Sequence, residues 1–105
     1  MTRMRLPERR PNFTTELEFE NRTYSVTLGF DVRSEHVAEV FTHGAKVGSG
    51  MDRLIDDVCV TLSLLLQYGV EPASLAASMG RLGDGNSPAS IVGALADLIA
   101  RESQT

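Results

Sequence analysis

The apolar pattern of this chain changes period once, and the change divides it into a strand half and a helix half. Between Leu17 and Phe30 apolar side chains recur at every second position: Leu17 and Phe19, then Tyr24, Val26, Leu28 and Phe30. Period two sets them on one face of extended backbone and leaves Glu16, Glu18 and Glu20, then Thr23, Ser25, Thr27 and Gly29, on the other. From Leu54 onward the spacing is three and four. Leu54, Ile55, Val58, Cys59, Leu62, Leu65 and Leu66 fall on one stripe of a helix. Strands that come first and helices that follow, without alternation, predict an α+β fold and exclude a sheet built of parallel βαβ units.

Punctuation residues refine that outline. Asn21 and Arg22 fill the turn between two strands that pair as a hairpin. Residues 31–37 are polar enough for a second turn, and residues 38–42, with Val40 and Phe41, follow as a third strand. Ser49, three residues before Asp52, resembles a capping box at the start of the long helix, and Gly69 supplies its stop. A short helix is predicted over residues 72–79, with Pro72 in its first turn and Gly80 as its end. Ser87 as cap and Pro88 at the first position predict a third helix, whose apolar face is Ile91, Val92, Leu95, Leu98 and Ile99. The expected architecture is a three-stranded antiparallel sheet followed by three helices, the first long and packed on the sheet. Residues 1–15, with Pro7 and Pro11 and no apolar period, read as an extended arm ahead of a single domain over 16–105.

Composition bounds the function. A chain of 105 residues holds one hydrophobic core. Its single cysteine, Cys59, excludes an intramolecular disulfide and a cysteine-rich zinc site, and predicts a reducing, cytoplasmic setting. The longest apolar run, residues 58–66, is interrupted by Thr61 and Ser63 and is too short to span a membrane, and the basic N-terminus lacks the apolar stretch of a leader. Charge is uneven. Arg3, Arg5, Arg9 and Arg10 make the first fifteen residues basic, whereas residues 16–105 carry six basic against thirteen acidic side chains. Such a body repels phosphates, so nucleic-acid binding would rest on those four arginines alone.

Few residues could carry chemistry. His36 and His43 have no ligand spacing with Glu39 and read as turn or surface residues, so no metal is expected. Cys59 lies on the apolar stripe and reads as a small core residue. Asp56 and Asp57 point about 100° apart on a helix and cannot share a proton. The glycine-rich stretch 44–50 is the best ligand candidate. Lys46 supplies charge, and Gly48, Ser49 and Gly50 offer backbone N–H groups where a helix begins, a setting that suits phosphate. The order is not that of a P-loop, since Lys46 precedes Gly48 and Ser49. The competing reading is that these glycines only let a strand turn into a helix.

Glu39-Val40-Phe41, the loop Lys46-Val47-Gly48-Ser49, the leucine-rich helix, and Leu66-Gln67-Tyr68-Gly69-Val70 with Pro72 and Leu75 after it resemble a region near the C-terminus of adenosylcobalamin-dependent ribonucleotide reductases. That region is associated with the TSCPD domain family, and the likeness covers roughly residues 20–82. The reductases' catalytic barrel, their radical and redox cysteines, the Thr-Ser-Cys-Pro-Asp signature and the cysteine-rich tail have no counterpart here, and the helix after Leu82 reads as this chain's own. The resemblance therefore implies a free-standing relative of an accessory region; it does not imply reductase activity, and no cofactor is expected. The expected function is a non-catalytic binding or regulatory module that docks on a protein partner. The alternatives are a sensor of a nucleotide or phosphate at residues 44–50 and nucleic-acid binding through the arginine arm. Open sheet edges also make a homodimer an expectation.

Overall fold

Glu20 and Asn21 both take positive φ, 50° and 63°, the mark of the two-residue loop whose twist matches a right-handed hairpin. The hairpin they close, in a computed structural model that describes residues 2–3, 11–31, 33, 36–43 and 50–103, joins β1 (Asn12–Phe19) to β2 (Arg22–Phe30). The turn thus sits one residue earlier than Asn21 and Arg22. β1 also begins at Asn12, so residues 12–15 belong to the sheet and not to an arm. They are recruited by pairing: Phe13 lies opposite Leu28, and Thr14 opposite Thr27 with their hydroxyl oxygens 2.7 Å apart.

β3 (Val37–His43) pairs antiparallel with β2, giving the order β1-β2-β3. The register shifts between Gly29 and Phe30. Gly29 is required there, because a Cβ on it would lie 2.7 Å from Cγ of Glu39, which crosses the strand at that point.

The helices α1 (Gly50–Gln67), α2 (Pro72–Ala77) and α3 (Ile91–Glu102) follow. The apolar spacing predicts the long helix over about residues 51–68, and α1 lies within one residue of both bounds. Gly69, at φ 99°, ends it: the N–H of Gly69 donates to the carbonyl of Leu66, and that of Val70 to the carbonyl of Leu65. α1 packs against the sheet on its β3 side. Because it meets an edge strand, only a narrow strip of the predicted stripe is buried: Ile55, Cys59, Leu62 and Leu66. Leu54 stays 54 % exposed and Leu65 37 %. The centre of the core belongs to α3, which reaches both β1 and β3. Its Leu95 and Ile99, with Val26 and Leu28 of β2, are fully buried.

α2 ends at Ala77, two residues before Met79. α3 begins at Ile91, and its cap is Ser90, whose Oγ accepts from the N–H of Gly93 at 3.1 Å. The expected cap, Ser87, is engaged elsewhere. The carboxylate of Asp84 accepts the Ser87 hydroxyl and the N–H groups of Asn86 and Ser87, both at 2.8 Å. Pro88 bridges Arg81, flanked by Leu82 N–H to Ser87 O (2.9 Å) and Ala89 N–H to Gly80 O (3.1 Å). An Asp side chain that claims its own turn removes the following serine from capping duty. At its other end α3 is tied to β3, since the N–H of Val37 donates to Oγ of buried Ser103 at 3.0 Å. No helix among the described residues is long and apolar enough to cross a membrane.

Candidate functional site

α1 closes the outer edge of β3 with side chains. The Ser63 hydroxyl oxygen accepts the N–H of Val40 at 2.9 Å and lies 3.4 Å from the Val40 carbonyl oxygen, to which it can donate. One turn on, Nε2 of Gln67 donates to the carbonyl of Ala38 at 3.1 Å. Ser63 and Gln67 are four residues apart on one helix face, and Ala38 and Val40 are alternate residues of one strand. The two periodicities therefore meet the same row of backbone groups. Gln67, 5 % exposed, uses its oxygen as well: it accepts from Nε of Arg3 at 2.6 Å. A partner-less amide at that depth would cost about 1–3 kcal/mol, so this pairing fixes how the helix sits on the strand.

Above this seam runs an open groove of about 310 Å³. β3 supplies Glu39, Val40, Phe41 and Thr42; α1 supplies Asp56, Cys59, Val60, Ser63, Leu64 and Gln67; Arg3 lies at one end. Three of these side chains are apolar and open to solvent: Phe41 at 44 %, Val60 at 59 % and Leu64 at 36 %. The Phe41 ring lies tilted against His43, 6.4 Å between centroids, and Nε2 of His43 is 2.6 Å from Oγ1 of Thr27. A concave strip with exposed apolar side chains and a hydrogen-bonded floor is suited to binding.

The sequence candidates fare unequally. Lys46, Gly48 and Ser49 lie outside the described residues; Gly50 is the exposed first residue of α1. Arg5, Arg9 and Arg10 also lie outside them, whereas Arg3 is drawn onto α1 by Gln67. Cys59, 4 % exposed, is buried in the floor of the groove. His36 and His43 are held apart: Nδ1 of His36 lies 3.3 Å from the carbonyl oxygen of Ser103, and His43 meets Thr27. Among the described residues no three metal-capable side chains converge. Asp56 is half-buried in the groove wall and Asp57 is exposed, so the neighbouring pair diverges.

Among the described residues the closest ion pair lies away from the groove. Arg81 grips Asp97 of α3 with both nitrogens, at 2.5 and 2.8 Å, and donates to the carbonyls of Ala76 at 2.9 Å and Asn86 at 3.2 Å. The guanidinium hydrogen bonds hold the Asp97 carboxyl below the ordinary range and raise Arg81. Asp84 is lowered to about 2, first by the Ser87 hydroxyl and then by the N–H groups of Ser87 and Asn86. Both carboxylates fasten α2, the 82–88 loop and α3 together, which is structural work. Val60, Ser63, Leu64 and Gln67 are site residues whose role sequence reasoning missed. The available signal was that Ser63 and Gln67 break the leucine run at helical spacing.

A family model described as the TSCPD domain matches residues 2–103. The match extends beyond the likeness over 20–82 at both ends and takes in Arg3, β1 and the third helix, which is therefore not this chain's own addition. No curated protein and no solved structure matches the chain.

Proposed function

The chain belongs to the TSCPD domain family, and we propose that it works as a binding module, seating a segment of a partner protein in the groove between α1 and β3. The observation that carries this reading is the exposed apolar trio Phe41, Val60 and Leu64, contributed by a strand and a helix whose spacing is fixed by Ser63 and Gln67. Exposed apolar side chains on a rigid concave strip are what a docking surface needs, because contact there removes them from water without reordering the protein.

Charge specifies the occupant. The body over residues 16–105 carries thirteen acidic side chains against six basic, and the groove lining holds Glu39 and Asp56 against the single cation Arg3 among the described residues. The segment that fits carries apolar side chains flanked by lysine or arginine. Steering between an acidic body and a basic segment makes association faster at low salt. The family's association with ribonucleotide reductases makes proteins of nucleotide metabolism the first partners to try. Retention of such a protein by the wild-type chain, and its loss from a Leu64→Asp variant, tests the reading.

A further inference from the structure

We infer that the β1 edge pairs with the β1 edge of a second copy of this chain, forming a two-fold dimer with one continuous sheet. The two edges of the sheet are treated differently. At β3, the outward backbone groups of Ala38 and Val40 are met by Gln67 and Ser63. At β1, the hydrogen bond from the Phe30 N–H to the Pro11 carbonyl, 3.0 Å, fixes the alternation. Pro11, Phe13, Thr15, Leu17 and Phe19 turn their backbone groups toward β2, and Asn12, Thr14, Glu16 and Glu18 turn theirs outward. Carried across β2, the same alternation makes Val40 face outward, where Ser63 is found. No hydrogen bond among the described residues reaches the outward groups of β1. The strand contains no lysine, proline or bulge, three of the means of blocking an edge, and its only charges are Glu16 and Glu18, which the register must keep apart.

The side chains select a second copy and its register. A two-fold axis normal to the sheet keeps each face on its own side, so outward-facing residues must lie opposite outward-facing residues. An axis at Glu16 sets that carboxylate against itself, and one at Leu17 sets Glu16 against Glu18; both are repulsive. An axis at Thr15 avoids this. Thr14 then faces Glu16, Asn12 faces Glu18, and Phe13 faces Leu17 across the closer, non-hydrogen-bonded spacing. About eight hydrogen bonds form between the copies. Phe13, 42 % exposed in the single chain, gains an apolar neighbour. This edge lies across the sheet from the α1–β3 groove, so either reading can fail without the other.

Sedimentation of the full chain over a concentration series tests the inference. The expected result is a monomer–dimer equilibrium that Glu16→Pro weakens by about tenfold or more, because the proline removes an outward N–H while leaving the bonds to β2. A monomer at millimolar protein, or a dimer indifferent to Glu16→Pro with its circular dichroism preserved, overturns it. Should Glu16→Pro fail to fold, cysteine cross-linking in a Cys59→Ser background decides. With copper phenanthroline as oxidant, Thr15→Cys is expected to form an intermolecular disulfide faster than Thr14→Cys does, and equal or reversed rates overturn the register.

Discussion

The Ser63 hydroxyl lies against both backbone groups of Val40, 2.9 Å from its nitrogen and 3.4 Å from its carbonyl oxygen, so one helical side chain closes an edge that would otherwise be open. Ser63→Ala leaves the Val40 N–H without its partner at a half-buried position and should cost about 1–3 kcal/mol in urea denaturation. Thr61→Ala is the control. Its hydroxyl donates at 2.9 Å to the carbonyl of Asp57 within the same helix, on an exposed face, and its loss should lie within about 0.5 kcal/mol of wild type.

The predicted apolar stripe of α1 separates into buried and exposed halves. Leu62, 2 % exposed, should cost about 2–5 kcal/mol when cut to alanine. Leu54→Ala should cost no more than about 0.5 kcal/mol, because more than half of that side chain is already in water. Equal losses would mean that α1 is rotated on the sheet.

That contrast shows what the sequence could and could not reveal. The hairpin was legible because Tyr24, Val26, Leu28 and Phe30 alternate without a break, and α1 because its leucines hold period and Gly69 stops it. The start of β1 was hidden because Thr15 breaks the apolar alternation between Phe13 and Leu17, and the segment is held by pairing with β2. The start of α3 was misplaced because Ser87-Pro88 has the chemistry of a helix start. Only the third dimension shows that Asp84 has taken the serine. The groove was hidden for a similar reason. Ser63 and Gln67 look like surface residues until the strand they serve is brought beside them.

Acid should loosen the α2–α3 end. Asp97 and Asp84 have folded-state pKa values below the ordinary aspartate value of about 3.9, so their contributions are fully present above that pH. They are lost as pH falls through the folded values, which for Asp84 is about 2. Denaturation midpoints should therefore fall below pH 4, and Asp97→Asn should flatten that fall while lowering stability at neutral pH. An unchanged acid limb would show that the Arg81 grip contributes nothing.

Cys59 should be slow to react. At 4 % exposure beneath the groove, its thiol should resist a disulfide reagent in the native chain and react at once in denaturant. Rapid native labelling would mean that α1 parts readily from β3.

The most direct test of the binding reading is parallel capture from a lysate of the source cells with wild type, Leu64→Asp and Leu54→Asp. Both leucines are exposed on α1, but only Leu64 lines the groove. One partner should be held in fixed proportion by wild type and by Leu54→Asp, released by rising salt, and absent from Leu64→Asp. Capture of the same proteins by all three chains, or loss confined to Leu54→Asp, would contradict the binding reading.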